Sequence, residues 1–334
     1  MALAALPALL LAVPAGADQV TATVSEKMVR EDVFPPVSAP FPDGIVAVPG
    51  VEFENLVGFR PVRMDLYLHV DRHLARPLVL WIHGGGWDRG DARTSANFAN
   101  WPAVLASLAA RGYVVASIDY RLSGEARFPA QVQDVKAAVR FLRANAAAYG
   151  IDPARVIHWG GSAGGHLAAL AATTCGEPAF IPEPSTGRLL HSEMAAARAA
   201  VADPKADCVA AAAIWYGVFD LTTQPSANLS AWLGCPPGAC ADAARRASPT
   251  AHVDSGDPPM LIVHGLADAA APPAPVKAFA SRLKEAGVAV EEVYLPGIGH
   301  GWQGRTFEDT RDASLAALNR TFAFFDRVAG IQPR

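Results

Sequence analysis

The segment Gly160-Gly161-Ser162-Ala163-Gly164 constrains this chain more than any other. It follows a short apolar run, Arg155 to Trp159, and precedes a stretch with Leu167 and Leu170 at helical spacing. A G-x-S-x-G sequence between a strand and a helix makes a sharp turn. That turn holds the serine hydroxyl at the end of the strand, over a helix N-terminus whose dipole favours negative charge. The other reading is a glycine-rich turn with an incidental serine, so the rest of the chain has to decide between them.

Short apolar runs recur along the sequence: Leu78 to Ile82, Tyr113 to Ile118, Val209 to Tyr216, Met260 to His264 and Val288 to Leu295. Runs of this length read as central parallel strands covered on both faces. Arg60 to Asp71 alternates, with Val62, Met64, Leu66, Leu68 and Val70 on one side, and reads as a half-buried strand. Helical patterns lie between the runs. Val132, Val135, Val139 and Leu142 mark one helix that should end near Tyr149-Gly150, and another spans about Glu308 to Val328. Strand–helix alternation predicts one α/β domain over about 50–330, with a mostly parallel central sheet flanked by helices.

Three further motifs each follow a predicted strand. His83-Gly84-Gly85-Gly86-Trp87 offers backbone N–H groups that can approach a reacting carbonyl oxygen. Gly85, Gly86 and Trp87 are the candidate donors, with Ala163 of the serine turn, for an oxyanion hole. His83 itself reads as a loop brace. Asp268, in His264-Gly265-Leu266-Ala267-Asp268, and His300, in Pro296-Gly297-Ile298-Gly299-His300, end late strands. In the order Ser162, Asp268, His300 they make a nucleophile, an orienting acid and a general base. Asp220 also follows a strand and is the second candidate acid. His166 is expected to pack along the helix after Ser162, and His264 to be structural. Trp87, Trp215, Tyr216, Phe219, Trp232 and Trp302 are candidates to line an acyl or aryl pocket, with Trp302, Phe219 and Trp232 as the substrate contacts and ordinary core packing as the alternative for each.

Topology sorts the two segments that look inserted. Loops that leave the strands of a parallel sheet lie on the ligand-binding face, and loops that enter them lie opposite. Phe219 to Asp257 leaves a strand and should form a partial cap, whereas Glu177 to Ala206 enters one and should sit far from the site. Cys175 closes the helix that begins at Ser162, about 20 Å along at 1.5 Å per residue. Cys208 enters a strand at that same far end, so Cys175 and Cys208 can pair. Cys235 and Cys240 can close a small loop in the cap.

Met1 to Ala17 is apolar and ends in Ala15-x-Ala17, which fits a signal-peptidase site, although the first basic residue is Lys27. Residues 18–49 form a Pro-rich segment with no assigned structure. Disulfides and a leader together predict a secreted or periplasmic protein with no membrane span after signal removal. The formal net charge of −4, from 28 basic and 32 acidic residues, gives no footprint for nucleic acid. No cysteine or histidine spacing suggests a metal, and no cofactor is expected.

These motifs together resemble the bacterial α/β-hydrolase esterases near the feruloyl-esterase-like and hormone-sensitive-lipase-like families. The matching stretches are His83 to Asp91, Asp119 to Leu122, Asp152 to Gly165, His264 to Asp268 and Pro296 to His300. The resemblance implies an α/β-hydrolase fold and hydrolysis of a small-molecule or polysaccharide-bound ester through an acyl-enzyme. It implies short or medium acyl groups, with acetyl or feruloyl groups on polysaccharides among them. Amide hydrolysis, as in formamidases or prolyl peptidases, and a non-catalytic binding module on this scaffold are the alternatives. One departure is Ala269-Ala270-Ala271-Pro272, which should loosen packing beside Asp268. The other is the long insertion at Glu177 to Ala206.

Overall fold

The computed structural model describes residues 38–186, 205–223, 227–236 and 238–332. The expected signal segment and most of the Glu177 to Ala206 insertion lie outside them. The described strands form one sheet in the order β1-β2-β3-β5-β4-β6-β7-β8-β9. They are β1 (Ala39–Phe41), β2 (Ile45–Glu54), β3 (Val62–His69), β4 (Arg76–Ile82), β5 (Val114–Ile118), β6 (Ile151–Gly161), β7 (Ala211–Trp215), β8 (Met260–Gly265) and β9 (Val290–Leu295). The first three pair antiparallel, β3 joins β5 antiparallel, and β5, β4, β6, β7, β8 and β9 run parallel. Every predicted apolar run overlaps one of these parallel strands, with the runs at Tyr113, Val209 and Val288 starting one or two residues early. The sheet also takes in β1 and the first half of β2, upstream of the start expected at residue 50.

The helices are α1 (Trp101–Ala110), α2 (Ala130–Ala144), α3 (Ala146–Tyr149), α4 (Ala163–Thr173), α5 (Ala227–Leu233), α6 (Ala241–Arg246), α7 (Pro273–Glu285) and α8 (Phe307–Ala329). Helix α2 buries Val132, Val135, Val139 and Leu142, as their spacing predicts, but stops at Ala144. The single turn α3 carries the chain to Gly150, which ends it in the left-handed conformation. Helix α8 starts at a capping box of Thr306 and Asp309 and stops at a left-handed Gly330.

Alternation along the strands splits the core in two. Leu78, Leu80 and Ile82 face α2 and α4, while Val79 and Trp81 face α1 and α8. Helix α7 completes the first side, against Met260 and Ile262. Both faces are thus covered, which corrects the half-buried reading of β3. Tyr67 packs with the α1 residues, and Asp65 accepts from Arg93 Nε at 2.6 Å and from the Gly50 N–H at 2.8 Å. On the α1 side Trp81, Trp101, Trp159 and Trp215 pack mutually, with ring centroids 4.5 to 6.0 Å apart. This wall lies directly below the serine turn.

Cys175 pairs with Cys208, and Cys235 with Cys240, as their positions predict. The first bridge ties the end of α4 to the entry of β7 and spans 33 positions of sequence. A crosslink over a loop of that length removes chain entropy equivalent to about 3–4 kcal/mol from the unfolded state. Serine at both positions should lower stability by that amount in chemical denaturation, and equal midpoints for wild type and variant would show that the bridge contributes nothing.

Candidate active site

Strand β6 ends at Gly161 and α4 begins at Ala163, so Ser162 alone makes the turn. It does so at φ 56° and ψ −122°, a strained conformation for a residue with a side chain. Two backbone hydrogen bonds hold it there. Its N–H donates to the Trp215 carbonyl at 3.0 Å, and its carbonyl accepts from the His166 N–H at 2.8 Å. The turn also needs a close approach to β4. A Cβ on Gly164 would lie 2.0 Å from the Ile82 carbonyl oxygen, so any side chain there would push the elbow off the sheet.

The loops after β8 and β9 bring the two partners. The Ser162 hydroxyl lies 2.8 Å from His300 Nε2, and His300 Nδ1 lies 2.8 Å from Asp268 Oδ2. Asp268 Oδ1 accepts from the N–H groups of Ala270 (2.9 Å) and Ala271 (2.8 Å). Burial acts to raise the Asp268 pKa. The hydrogen bonds from His300 and the Ala271 N–H outweigh it and hold the carboxyl below its usual value. Asp268 is therefore an anion that accepts Nδ1–H, and His300 presents Nε2 as an acceptor to the serine hydroxyl. The alanine run after Asp268 leaves the carboxylate in place, because two of its N–H groups hold it. Asp220 is used elsewhere, accepting from the backbone N–H and hydroxyl of Thr222.

The glycine loop sits beside Ser162. Gly85 adopts φ 117°, and a Cβ there would lie 2.2 Å from the Arg89 carbonyl oxygen. His83 braces the loop as expected. It is buried, its Nδ1 lies 2.7 Å from the Gly84 carbonyl, and its ring stacks on Tyr120. Burial pulls its pKa down and keeps it neutral. His264 is likewise lowered by burial, against the pull of the Ala271 carbonyl and Asp268. Its Nε2–H donates to the Ala271 carbonyl at 2.8 Å, so the ring supports the acid loop. Ala163 opens α4, and its N–H belongs to the first turn, where a helix leaves donors without intrahelical acceptors.

Two clefts meet at Ser162 and His300, with Gly86 bordering both. One, of about 490 Å³, is mostly apolar and lined by Trp87, Val218, Leu221, Leu229, Ala270 and Pro272. The other, of about 420 Å³, is lined by Arg89, Thr94, Ser95, Ala96, Tyr216 and Gly301. Leu221, Asn228 and Leu229 come from the segment expected to form a cap, and the described part of Glu177 to Ala206 lines neither cleft.

The three aromatics picked as substrate contacts are not on these walls. Trp302 is fully buried against Trp215 and Tyr216, Phe219 stacks on Phe279 of α7, and Trp232 stacks under Trp87. All three belong to the core. Of the other candidate aromatics, Trp87 lines the first cleft and Tyr216 lines the second, 5.0 Å from the His300 ring. The Tyr216 φ of 36° marks the sharp turn after β7 that aims it there.

The residues matched by the BD-FAE family are 64–283. Esterase LipQ of Mycobacterium tuberculosis H37Rv is 31% identical over 260 residues, covering 73% of this chain and 55% of the relative. The chain spans about half the length of this relative and of two further M. tuberculosis esterases, LipC and LipM, that it matches at 30–31% identity. Among solved structures, a truncated carbohydrate esterase from gut microbiota superposes with a TM-score of 0.67 at 26% identity, over 87% of this chain and 99% of that one. Thermogutta terrifontis esterase 2, phosphoramylated by tabun, gives 0.67 at 25% identity over 92% and 100%. The sheet order and the serine turn define an α/β-hydrolase fold. The chain belongs to the BD-FAE family.

Proposed function

We propose that this protein is a serine carboxylesterase with Ser162 as nucleophile, His300 as general base and Asp268 as the orienting acid. The observation that carries this reading is the continuous hydrogen-bonded line from the serine hydroxyl through both ring nitrogens to a buried carboxylate, at 2.8 Å per step. His300 Nε2 takes the hydroxyl proton as Oγ attacks the ester carbonyl carbon. The N–H groups of Gly86 and Ala163 receive the oxyanion, since both border the cleft at Ser162. Imidazolium then returns the proton to the departing alcohol, leaving an acyl-Ser162. Water, deprotonated by His300, attacks that ester, and the imidazolium returns the proton to Ser162 Oγ as the acyl–oxygen bond breaks and the acid leaves.

The apolar cleft suits a short or medium acyl group. The second cleft, which carries the side chains of Arg89, Thr94, Ser95 and Tyr216, suits the alcohol portion of a larger ester, including an acetylated or feruloylated polysaccharide, and the likeness to a carbohydrate esterase supports that class. Two disulfides support an oxidising, extracytoplasmic location. Among the described residues no helix is long and apolar enough to cross a membrane.

The test is a p-nitrophenyl ester series from acetate to laurate, run beside acetylated xylan and a feruloyl ester. Hydrolysis should fall off at long acyl chains. A serine-directed phosphonate should add once to the wild type, at Ser162, and not to Ser162→Ala. Labelling elsewhere, or esters untouched while matched amides are cleaved, would overturn the reading.

A further inference from the structure

The oxyanion arrangement described above draws its two N–H groups from separate pieces of chain: Gly86 from the loop after β4, Ala163 from the start of α4. Their spacing has to be set by something that touches both pieces. Gly86 and Trp87 follow one another with φ of 60° and 62°, a left-handed pair that loop sequence alone does not hold. The Trp87 indole is where the loop is anchored. It stacks on Trp232 of α5 with centroids 4.3 Å apart and planes within 6°, and its Nε1–H donates to His166 Nδ1 at 3.2 Å.

His166 lies in the first turn of α4, four residues after Ser162, and is fully buried. Its other nitrogen, Nε2, donates to the Ala247 carbonyl at 2.7 Å, just past the end of α6. The carbonyl fixes the tautomer, because only Nε2–H can meet it, and so leaves Nδ1 free to accept from Trp87. The imidazole edge also meets Trp232 at 5.4 Å. One neutral ring thus joins the elbow helix, the glycine loop and the cap segment. Burial lowers its pKa to about 4, which keeps that hydrogen-bond pattern at neutral pH. The cap side is itself clamped, since Cys235–Cys240 joins the end of α5 to the start of α6, and α5 places Asn228 and Leu229 on the cleft.

We infer that His166 is a positioning residue that sets the spacing of the Gly86 and Ala163 N–H groups and couples it to the cap. The inference rests on the esterase reading above. His166 touches no substrate, so its effect should appear where the oxyanion is made and not where the ester is bound.

The experiment compares wild type with His166→Phe, His166→Gln and Trp87→Phe on one p-nitrophenyl ester. It also measures binding of a trifluoromethyl ketone, which adds to the serine as an oxyanion. A displacement of donors short of their loss should lower kcat about 10- to 100-fold, with KM within about twofold. Ketone affinity should fall by the same factor as kcat. Trp87→Phe keeps a ring stacked on Trp232 and removes the donor along with a part of the cleft wall, so it should reproduce most of the kcat loss. The double variant should be no worse than the worse single one, because both remove the same hydrogen bond. His166→Gln, with one acceptor and one donor, should recover part of kcat. A folded variant with unchanged kcat, or a loss carried wholly by KM, overturns the inference. If His166→Phe does not fold, Trp87→Phe decides alone by the same criteria. A wild type inactive on every ester would instead overturn the esterase reading.

Discussion

Asp268→Asn should lower kcat by about 10⁴-fold with little change in KM, the size of loss known when a triad carboxylate becomes an amide. The geometry dictates why. Asp268 Oδ1 accepts two backbone N–H groups, from Ala270 and Ala271. An asparagine must keep its carbonyl oxygen on that side, since its amide nitrogen would face two donors. The NH₂ group then points at His300 Nδ1, which becomes an acceptor, and the ring proton moves to Nε2. Nε2 faces the Ser162 hydroxyl at 2.8 Å and can no longer take its proton. The fold should be untouched, because the side chain keeps its size and one hydrogen-bonded oxygen. Stopped assays over the pH range, with melting curves as a control, check this. A loss below about tenfold would mean that Asp268 does not set the His300 tautomer.

Ser162, Asp268 and His300 were legible in the sequence, and the reason is local. All three sit immediately after strands, inside short glycine-containing turns. In a parallel sheet the strand ends themselves bring such turns together. The disulfide partners were legible for the same reason, since helix length and strand direction place Cys175 and Cys208 at one end of the domain. The cleft walls were legible only in part, through Trp87 and Tyr216. Trp302 follows Gly301 in a tight turn at φ 65°, and that turn sends its ring inward, not toward substrate. Phe219 and Trp232 find partners in Phe279 and Trp87, contacts made across long stretches of sequence. The lining residues Ala269, Ala270 and Pro272 are small and carry no pattern of their own. Strand β2 was hidden because Pro49-Gly50 interrupts it, and the ladder shifts register between Val48 and Val51 to absorb them.

Asp207→Asn should be the most destabilising single change outside the site, at about 3–5 kcal/mol near pH 7, the range for an orphaned buried charge. Asp207 is fully buried at the entry to β7, next to Cys208. Its two oxygens meet Lys136 Nζ at 2.7 Å and an Arg140 nitrogen at 3.1 Å. Lys136 is also fully buried and donates to the Thr174 carbonyl at 2.6 Å, beside the other half of the bridge. Burial already holds the Lys136 pKa below its usual value, although Asp207 pulls it up. Without the carboxylate, the folded protein keeps Lys136 neutral while the unfolded chain binds the proton. A native state that binds fewer protons gains stability as pH rises, by about 1.4 kcal/mol per unit for one group, up to the free lysine pKa near 10.4. The deficit against wild type should therefore be largest at pH 7 or below and shrink by about that slope toward pH 10. Denaturation midpoints of both proteins at pH 6, 8 and 10 measure it. A deficit independent of pH would place the cost in lost packing, with Lys136 still charged in the fold.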